Sequence, residues 1–421
     1  MLSSFFLQAQ NVVPVTCPVV PRGIVEVRGN RVVAVHPASE KRRLPRNRFF
    51  DLGESIVIPG LINAHCHLDY TSMAGVIPPP SSFTSWIHSI QGLKRDWTPQ
   101  DFRASWLEGA RMLVESGVTT VCDIESVWDL VPDIAQLTPL RVISCLEFID
   151  LSHSAEASRL LDKLTQLQRL ETSHKWTVGI SPHAPYSTTP ILLRALAKAL
   201  KPLQNTVTMH IGESAEEWEM FKLQSGPMHE WLAPQRSMKT CAGKSPVQIV
   251  SDSGILSPSF LGVHMNYIDR ADAEAFGKSG ASIVHCPRSH AYFTHGEFPL
   301  DLARKNNIPV CLGTDSLATV RFPKTKAPSL CLFAEMREFT RKNPDVSPRE
   351  VLEMTTKTPA RALGLNGQAG TLSKGAFADL VVLRVKTPAS DPYEALLSTE
   401  DPRPGVMIDG NWVVPPPELQ P

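Results

Sequence analysis

Two histidines, His65 and His67, stand one residue apart in the stretch PGLINAHCHLD, directly after an apolar run. The segments 56–58 and 61–62 are apolar and favour a buried strand over residues 55–65. Because residues i and i+2 of a strand point to the same side, both imidazoles would project together from its C-terminal end. Two neighbouring imidazoles suit a divalent metal ion. A pair of histidines in a turn is the alternative, and this motif alone leaves both open.

Further polar residues follow apolar runs later in the chain, each at the place where a strand would end. They are His183 in WTVGISPH, His210 and Glu213 in TVTMHIGE, His264 in FLGVHMN and Asp315 in IPVCLGTD. One histidine at a strand end is more often structural than functional, whereas this repeated placement indicates a metal site. Three histidines and a carboxylate form a ligand set suited to zinc or iron(II), with a water molecule in a fifth position.

The same residues include groups that can move protons. A metal lowers the pKa of its bound water towards about 7, which supplies hydroxide at neutral pH. Forming hydroxide requires a base, and protonating the leaving group requires an acid. Asp315, beside the metal, can accept a proton from the water, and Glu213, near the metal, can pass a proton to the substrate. His264 can hold the hydroxide and stabilise charge during its attack.

Such a site requires that several strand ends meet, and the middle of the chain has a matching pattern. Apolar runs occupy residues 55–65, 118–124, 141–148, 176–183, 206–213, 260–266, 281–287 and 308–315. Helix candidates lie between most of these runs, among them Thr98–Gly117 with an N-cap candidate and residues 154–173. Eight strands alternating with helices predict an α/β fold, a (β/α)8 barrel. A doubly wound sheet could show similar alternation, but polar residues at strand ends all round the set favour the barrel.

The two ends of the chain differ from this middle in their residue pattern. Residues 1–55 are rich in valine and contain GIVEVRGNRVVAVHP, which predicts a hairpin turning at Gly29–Asn30. Residues 368–421 show the same pattern of short valine-rich runs and a Gly-Asn turn, in GTLSKGAFADLVVLRVKT and GVMIDGNWVV. The simplest arrangement is one small β domain composed of residues 1–55 and 368–421, beside a barrel domain of residues 56–367.

Composition limits the classes of function. The 42 lysines and arginines are balanced by 42 aspartates and glutamates, which argues against a general nucleic-acid or anionic-membrane binder. The eight cysteines are scattered without a Cys-x-x-Cys motif, which is typical of a reducing compartment. The segment MLSSFFLQAQ lacks the features of a signal peptide, and no run of about 20 apolar residues occurs. We therefore expect a cytoplasmic enzyme with a small-molecule substrate and with no nucleic-acid or membrane partner.

Taken together, the motifs resemble the amidohydrolase superfamily. The resemblance lies in VIPGLINAHCHLD, SPHAPYS, HIGES, GVHMN, HCPRSHAYF, LGTDSLAT, TKTPARALGL and GTLSKGAFADLVVL, which follow the family's order. The pieces span the chain from roughly residue 50 to residue 385, and they are specific as a set although each is weak alone. The similar branch is that of metal-dependent aminohydrolases, which includes adenosine-type, S-adenosylhomocysteine/methylthioadenosine, guanine and cytosine deaminases and s-triazine chlorohydrolases.

The resemblance implies a role for each polar residue described above. It implies metal ligands at His65, His67, His210 and Asp315. It also implies Glu213 as the proton shuttle, His264 near the attacking water and His183 in the substrate pocket. For the two chain ends it implies a single small β-sandwich.

Binuclear members of the family bridge two metals through a carbamylated lysine at the end of the fourth strand. Here that strand ends in His183, and the nearest lysine, Lys175, stands at its start. We therefore expect one divalent metal ion per chain, zinc or else iron(II). The His-x-x-Glu spacing of residues 210–213 also favours the deaminase-like branch. The resemblance is compatible with a homo-oligomer, which no residue specifies.

Two further residues are candidates for substrate contacts. Trp86, in SSFTSWIHSI, would either pack against a flat substrate ring or anchor its loop. His290 stands in HCPRSHAYF where the family often has asparagine, and it would either add a polar ring to the pocket or cap the following turn. Arginines that would grip a nucleoside tail have no obvious counterpart, so the motifs leave the exact substrate open.

These observations predict the hydrolytic deamination of an amino-substituted purine, nucleoside or related N-heterocycle, with release of ammonia. Hydroxide would add to the ring carbon that bears the amine, and Glu213 would protonate a ring nitrogen before ammonia leaves. The alternative reaction at this site is hydrolysis of a cyclic amide or of a chloro- or alkylamino-triazine. A non-catalytic metal-binding protein is a third interpretation, against which Glu213 and His264 argue because a structural site needs neither.

Overall fold

The computed structural model of the chain describes residues 4–45, 48–78, 80–151, 162, 165–166, 175–200, 205–322, 325, 327–385, 391–400 and 402–419. The helix expected over residues 154–173 therefore lies almost entirely outside the described residues. The described residues form three sheets, two built from the chain ends and one from the middle. None of the described helices has the length and apolar character needed to cross a membrane.

The two smaller sheets join both ends of the chain. The first has the order β5-β4-β1-β6, with β1 at Phe5–Gln8, β4 at Ile24–Arg28, β5 at Arg31–His36 and β6 at Phe49–Asp51. The second has the order β18-β17-β16-β7-β2-β3, with β2 at Asn11–Val12, β3 at Val20–Pro21, β7 at Ser55–Pro59, β16 at Leu380–Arg384, β17 at Gly405–Ile408 and β18 at Asn411–Val414. Leu7 of the first sheet shares a core with Val57 and Leu380 of the second. A small β domain built from both termini is therefore confirmed.

The N-terminal hairpin turns where the sequence predicts. Strands β4 and β5 pair antiparallel, and Arg28 lies opposite Arg31 at the end of the ladder. Gly29 has a positive φ of 57°, a conformation that glycine adopts without steric cost and that two-residue hairpin turns require. The Gly29–Asn30 turn therefore fixes the register of this sheet.

The middle of the chain forms an eight-stranded parallel sheet in which each strand neighbours the next along the chain. Its strands are β8 at Leu61–Cys66, β9 at Val118–Glu125, β10 at Arg141–Phe148, β11 at Trp176–Pro182, β12 at Val207–Ile211, β13 at Phe260–His264, β14 at Ser282–His285 and β15 at Val310–Leu312. A parallel bridge between Cys66 and Asp315 links the first strand to the end of the last. The predicted (β/α)8 barrel is confirmed, and all strand C-termini lie at one rim.

The strand expected over residues 55–65 is wrong as a single element, because it divides at Gly60. The segment Ser55–Pro59 pairs with β16 in the small domain, whereas Leu61–Cys66 pairs with β9 in the barrel. A side chain at Gly60 would lie 2.1 Å from Thr119 Oγ1, so only glycine fits where the chain passes between the sheets. Sheet membership thus assigns the segment up to Pro59 to the small domain, beyond the expected boundary at residue 55, and we propose Gly60 as the junction.

Helices connect the barrel strands. The α-helices span Phe83–Arg95, Pro99–Glu115, Val131–Ile134, Pro190–Leu200, Ala215–Lys222, Pro227–Leu232, Pro246–Ser253, Arg270–Lys278, Pro287–Tyr292, Leu300–Lys305, Leu332–Lys342, Pro348–Glu353, Lys357–Ala362 and Pro392–Ser398. Short 3-10 helices span Ala38–Arg43, Leu68–Met73, Trp128–Leu130, Leu317–Thr319 and Pro417–Leu419. Thr98 is the N-cap of the second α-helix, as predicted, and it forms a capping box with Asp101.

A buried arginine ties the barrel to the small domain. Arg141 begins β10 and is 2% exposed. Its Nη2 lies 3.3 Å from Asp379 Oδ2 and 3.4 Å from Asp409 Oδ1, and its guanidinium carbon lies 3.7 Å from the ring centroid of Phe377. Asp379 Oδ1 in turn accepts a hydrogen bond from the backbone N–H of Asp409. Arg141 thus contacts two buried carboxylates that the C-terminal segment brings to the barrel, and Lys175 Nζ lies 3.3 Å from Oδ2 of Asp409 as a second cation.

We expect Arg141→Met to lower the free energy of unfolding by about 3–5 kcal/mol, because it removes the cation paired with the buried Asp379 and leaves Asp409 with Lys175 in place of two cations. Denaturant unfolding of the full chain measures this loss. Arg341→Met is the matched control, since it breaks an exposed ion pair with Glu338 that is worth at most about 1 kcal/mol. Equal stability of the two variants would contradict the role assigned to Arg141.

Candidate metal centre and active site

Four potential metal ligands converge at the C-terminal rim of the barrel. His65 and His67 come from the end of β8, His210 lies in β12, and Asp315 follows β15. Nε2 of His67 lies 3.2 Å from Nε2 of His210, and Oδ1 of Asp315 lies 3.8 Å from Nε2 of both His65 and His67. Two ligands that each bind one ion at about 2.1 Å lie roughly 3.4 Å apart in tetrahedral geometry. The spacings are close to that of donors sharing one ion, and the ligand atoms fall into overlapping groups, among them His65, His67 and Asp315, and His65, His210 and His264.

The hydrogen bonding of these histidines also fits a metal. Both ring nitrogens of His65 and Nδ1 of His67 are buried, and none has a hydrogen-bond partner among the described residues. A buried polar atom without a partner costs about 1–3 kcal/mol. A divalent cation at the point of convergence would supply His65 with the missing partner. Nδ1 of His210 lies 2.8 Å from the carbonyl oxygen of His183, which orients its Nε2 towards the same point.

Burial sets the charge of these groups. It depresses the pKa of His67 and of His210 well below the ordinary value, and the neighbouring His65 adds to the effect. Both rings are therefore neutral near pH 7, which is the form that binds metals. Burial alone would raise the pKa of Asp315, but its interactions with His65 and His264 hold that pKa well below the usual range. The neutral rings of His67 and His210 thus face one carboxylate anion.

The backbone is strained at two positions of the site. His264 has φ of 69° and Asp315 has φ of 52°, a left-handed conformation that few residues other than glycine adopt, although asparagine, aspartate and histidine do so more often than the rest. Such strain costs about 1–3 kcal/mol per residue and is concentrated at functional sites. His264 is the last residue of β13, and Asp315 lies three residues beyond the end of β15. The fold therefore tolerates an unfavourable backbone conformation at two residues of this site.

Glu213 lies beside the ligands with its main chain held on both sides. Its Oε1 is 3.5 Å from Nε2 of His264. The backbone N–H of Glu213 donates to Oε2 of Glu217 at 2.9 Å, and its carbonyl oxygen accepts from Nδ2 of Asn266 at 3.0 Å. Burial raises the pKa of the Glu213 carboxyl well above its ordinary value, and the charge of Asp315 raises it further. The raised pKa favours the protonated carboxyl, which is the form that can donate a proton.

Most of the chain matches a known protein family. A model described as the amidohydrolase family matches residues 56–413. The chain belongs to the amidohydrolase family. A 5-methylthioadenosine/S-adenosylhomocysteine deaminase from Symbiobacterium thermophilum is 26% identical over 399 residues, which cover 92% of this chain and 86% of that protein.

Solved structures show the same fold. An adenosine deaminase from Xanthomonas campestris with bound zinc has a TM-score of 0.83 and 22% identity, covering 99% of this chain and 94% of its own. An atrazine chlorohydrolase from Arthrobacter aurescens complexed with zinc has a TM-score of 0.82 and 19% identity, covering 98% of this chain and 95% of its own. These structures confirm the barrel fold, and the family match over residues 56–413 confirms the expected superfamily.

The cavity of this amidohydrolase lies directly over the candidate ligands. Trp86 and His183, the candidates for substrate contacts, both line it. The ring of Trp86 also packs against Phe83 and Phe293, with centroids 6.0 and 5.3 Å apart, so it anchors the first α-helix at the same time. Nδ1 of His183 lies 2.6 Å from Ser187 Oγ. The other ring nitrogen of His183, Nε2, is therefore directed towards the cavity.

His290 has a different position. It is not among the residues that line this cavity. Its Nδ1 lies 3.0 Å from Asn266 Oδ1, and its Nε2 lies 2.6 Å from the carbonyl oxygen of Gly296. Of the two interpretations from the sequence, this geometry matches the one in which His290 closes the following turn. Through Asn266 it also supports the main chain of Glu213.

Two charged residues of the amidohydrolase cavity, Glu147 and Lys94, were not predicted from the sequence. Glu147 ends β10 and its Oε1 lies 4.0 Å from His183 Nε2, so the rule of polar residues at strand ends could have found it. Lys94 lies in the last turn of the helix Phe83–Arg95. It shares a helix face with Trp86 and Ile90, because residues spaced by four lie above one another. That periodicity is a signal for Lys94, but only the fold shows which face covers the cavity.

Proposed function

We propose that this protein is a metal-dependent hydrolase that deaminates an amino-substituted purine, nucleoside or related N-heterocycle and releases ammonia. One observation carries the proposal: buried histidines and Asp315 meet at the cavity that also holds Glu213 and His264. The deaminase relative named above, which is similar over nearly the whole chain, supports the same reaction. A metal scaffold would require neither Glu213 nor His264 beside the ligands.

We propose His65, His67, His210 and Asp315 as the residues that hold one divalent ion. Zinc is the proposed metal, with iron(II) as the alternative, because three imidazoles and a carboxylate suit both. The zinc bound in the two similar solved structures supports this choice. When bound, the ion would activate a water molecule for attack by lowering its pKa.

The side chains around the site would move the protons of the reaction. Asp315 Oδ accepts the proton of the attacking water, and its low pKa keeps this carboxylate ionised beforehand. Glu213 Oε delivers a proton to the ring nitrogen next to the reacting carbon. His264 Nε2, 3.5 Å from Glu213 Oε1, orients the attacking oxygen. The balance is one water consumed, the carbon–nitrogen bond to the amine broken, and one ammonia released.

The remaining cavity residues would bind the heterocycle. Trp86 presents an aromatic surface to a flat ring, and Ile87 and Ile90 extend that apolar wall. His183 lies opposite the ligand His210, with ring centroids 5.0 Å apart, and can hydrogen-bond a ring nitrogen or a substituent. The cavity therefore combines an apolar slot with hydrogen-bonding groups at its metal end.

A product screen tests the proposed reaction. We expect the zinc-loaded full chain to release ammonia from at least one compound among aminopurines, their nucleosides and pterins. The same screen includes cyclic amides and chloro-triazines, followed by ring opening and chloride release. Chloride release or ring opening without ammonia from any amine would replace the deaminase proposal with its alternative. Binding without turnover throughout would favour a non-catalytic metal protein.

A further inference from the structure

A lysine in the cavity has no place in the chemistry described so far. Lys94 lines the cavity together with the metal ligands and is partly buried. Its Nζ donates a hydrogen bond to the hydroxyl of Tyr70 and lies 4.7 Å from the centroid of that ring. Among the described residues no carboxylate lies within ion-pair distance of Nζ, although the charge of Lys94 partly offsets the rise that burial causes in the pKa of Asp69. An ammonium has three N–H donors, so Nζ retains donors that a ligand can accept from.

Lys94 lies close to the candidate metal ligands. The ring of Tyr70 stacks on that of His67, with centroids 5.1 Å apart and planes 7° from parallel. Lys94 is therefore separated from a candidate metal ligand by a single aromatic side chain. A substrate bound with its ring at the candidate ligands would have its substituents in the same cavity as this ammonium.

The carboxylate of the cavity does not neutralise Lys94. Glu147 directs Oε1 towards His183 at 4.0 Å, and its side chain is 6% exposed. The cavity thus contains a cation and an anion that are not paired with each other in the described structure. Its apolar wall of Trp86 and Ile90 lies on the same helix as Lys94. An ammonium binds carboxylate and phosphate oxygens as a point charge, and such bonds are about twice as strong as neutral ones.

We infer that the substrate is an amino-substituted N-heterocycle carrying an anionic oxygen group, and that Lys94 binds this group. The inference rests on the proposed function and specifies its substrate class. A carboxylate and a phosphate share the required chemistry. The negative charge of Glu147 would repel either group, whereas Lys94 would attract it. The preference for an anionic substrate therefore depends on which of these two interactions is stronger.

Matched pairs of compounds test this selectivity. The pairs are adenosine with adenosine 5′-carboxylate, adenosine with adenosine 5′-monophosphate, and pterin with pterin-6-carboxylate. The measured quantity is the ratio of kcat/KM for the anionic compound to that for its neutral partner, in the zinc-loaded full chain. We expect this ratio to exceed one for at least one pair in the wild type. The pair that shows it identifies carboxylate or phosphate as the group bound.

The variants should move this ratio in opposite directions. Lys94→Met is expected to lower it by about 10- to 100-fold, the range for a charge-assisted hydrogen bond. Glu147→Gln is expected to raise it, because it removes the opposing charge. Lys278→Met is the matched control, since Lys278 pairs with Glu274 on an exposed helix and should leave the ratio unchanged. An equal loss on both compounds in Lys94→Met would show that Lys94 only holds Tyr70, and would overturn the inference.

Binding separates failure of this inference from failure of the proposed reaction. If no compound releases ammonia, the same pairs are titrated into the wild type and Lys94→Met by calorimetry. Tighter binding of the anionic compound that Lys94→Met abolishes would sustain the Lys94 site while dismissing the deaminase. Equal affinity for both compounds in the wild type would overturn the Lys94 site itself.

Discussion

Replacing Asp315 by asparagine is expected to remove the bound metal and, with it, turnover. Asparagine matches aspartate in size, and its oxygen can still accept the hydrogen bond that Oδ1 takes from the Ser316 N–H at 2.8 Å or the one that Oδ2 takes from Thr319 Oγ1 at 3.2 Å. The fold should therefore persist. What disappears is the negative charge opposite His65 and His67. A neutral amide oxygen is a poorer ligand than a carboxylate for a divalent ion held by three imidazoles.

Elemental analysis of purified protein measures this effect. We expect one equivalent of metal per wild-type chain and a large loss in Asp315→Asn, with unchanged circular dichroism. His290→Gln is the matched control, because it replaces a buried histidine whose nitrogens contact Asn266 and Gly296 and not the ligands. It should keep its metal. Full metal content in Asp315→Asn would contradict the assigned ligand set, and two equivalents with a modified lysine in the wild type would contradict a single-ion site.

Glu213→Gln should leave the metal in place and lower the rate by about 10²–10⁴-fold, the contribution typical of a general acid–base group. The amide has the same shape but cannot deliver the proton to the ring nitrogen. A purely structural role for Glu213 would be to cap the helix Ala215–Lys222. The structure gives that role to Ser214, whose side chain accepts from the Glu217 N–H at 3.1 Å. Loss of a helix cap therefore does not account for the expected effect.

Turnover and metal content of the same purified variant test this prediction. Glu230→Gln is the control, because Glu230 is an exposed residue of the short helix Pro227–Leu232, away from the cavity. It should match the wild type in both measurements. Near-normal turnover of Glu213→Gln with full metal would remove Glu213 from the mechanism and weaken the deaminase proposal. Loss of metal in this variant would show that Glu213 supports the ligands.

Much of the site could be predicted from local patterns. His65, His67 and His210 each lie at the end of an apolar run, and the runs alternate with helices. Parallel strands connected by helices must place their C-terminal ends at one rim, so residues far apart in sequence are predicted to meet. The Gly29–Asn30 turn was similarly predictable, because its conformation depends on two adjacent residues.

Other features depend on contacts that no local pattern contains. The apolar run 55–65 divides at Gly60 because β16 pairs with its first half, and that partner lies at the other end of the chain. Arg141 is buried because Asp379 and Asp409 arrive from the C-terminal segment. Burying a charged group is favourable only when its partners are supplied, and the sequence around Arg141 does not reveal them.

The sequence by itself determined the barrel, the small domain formed from both ends, and the convergence of His65, His67, His210 and Asp315. These follow from periodicity and from strand order, which are local or topological properties. Only the tertiary structure placed Lys94 and Glu147 in the cavity and His290 outside it. Their positions depend on how the first α-helix covers the rim and on which partner each side chain contacts, and packing of this kind is decided by the whole fold.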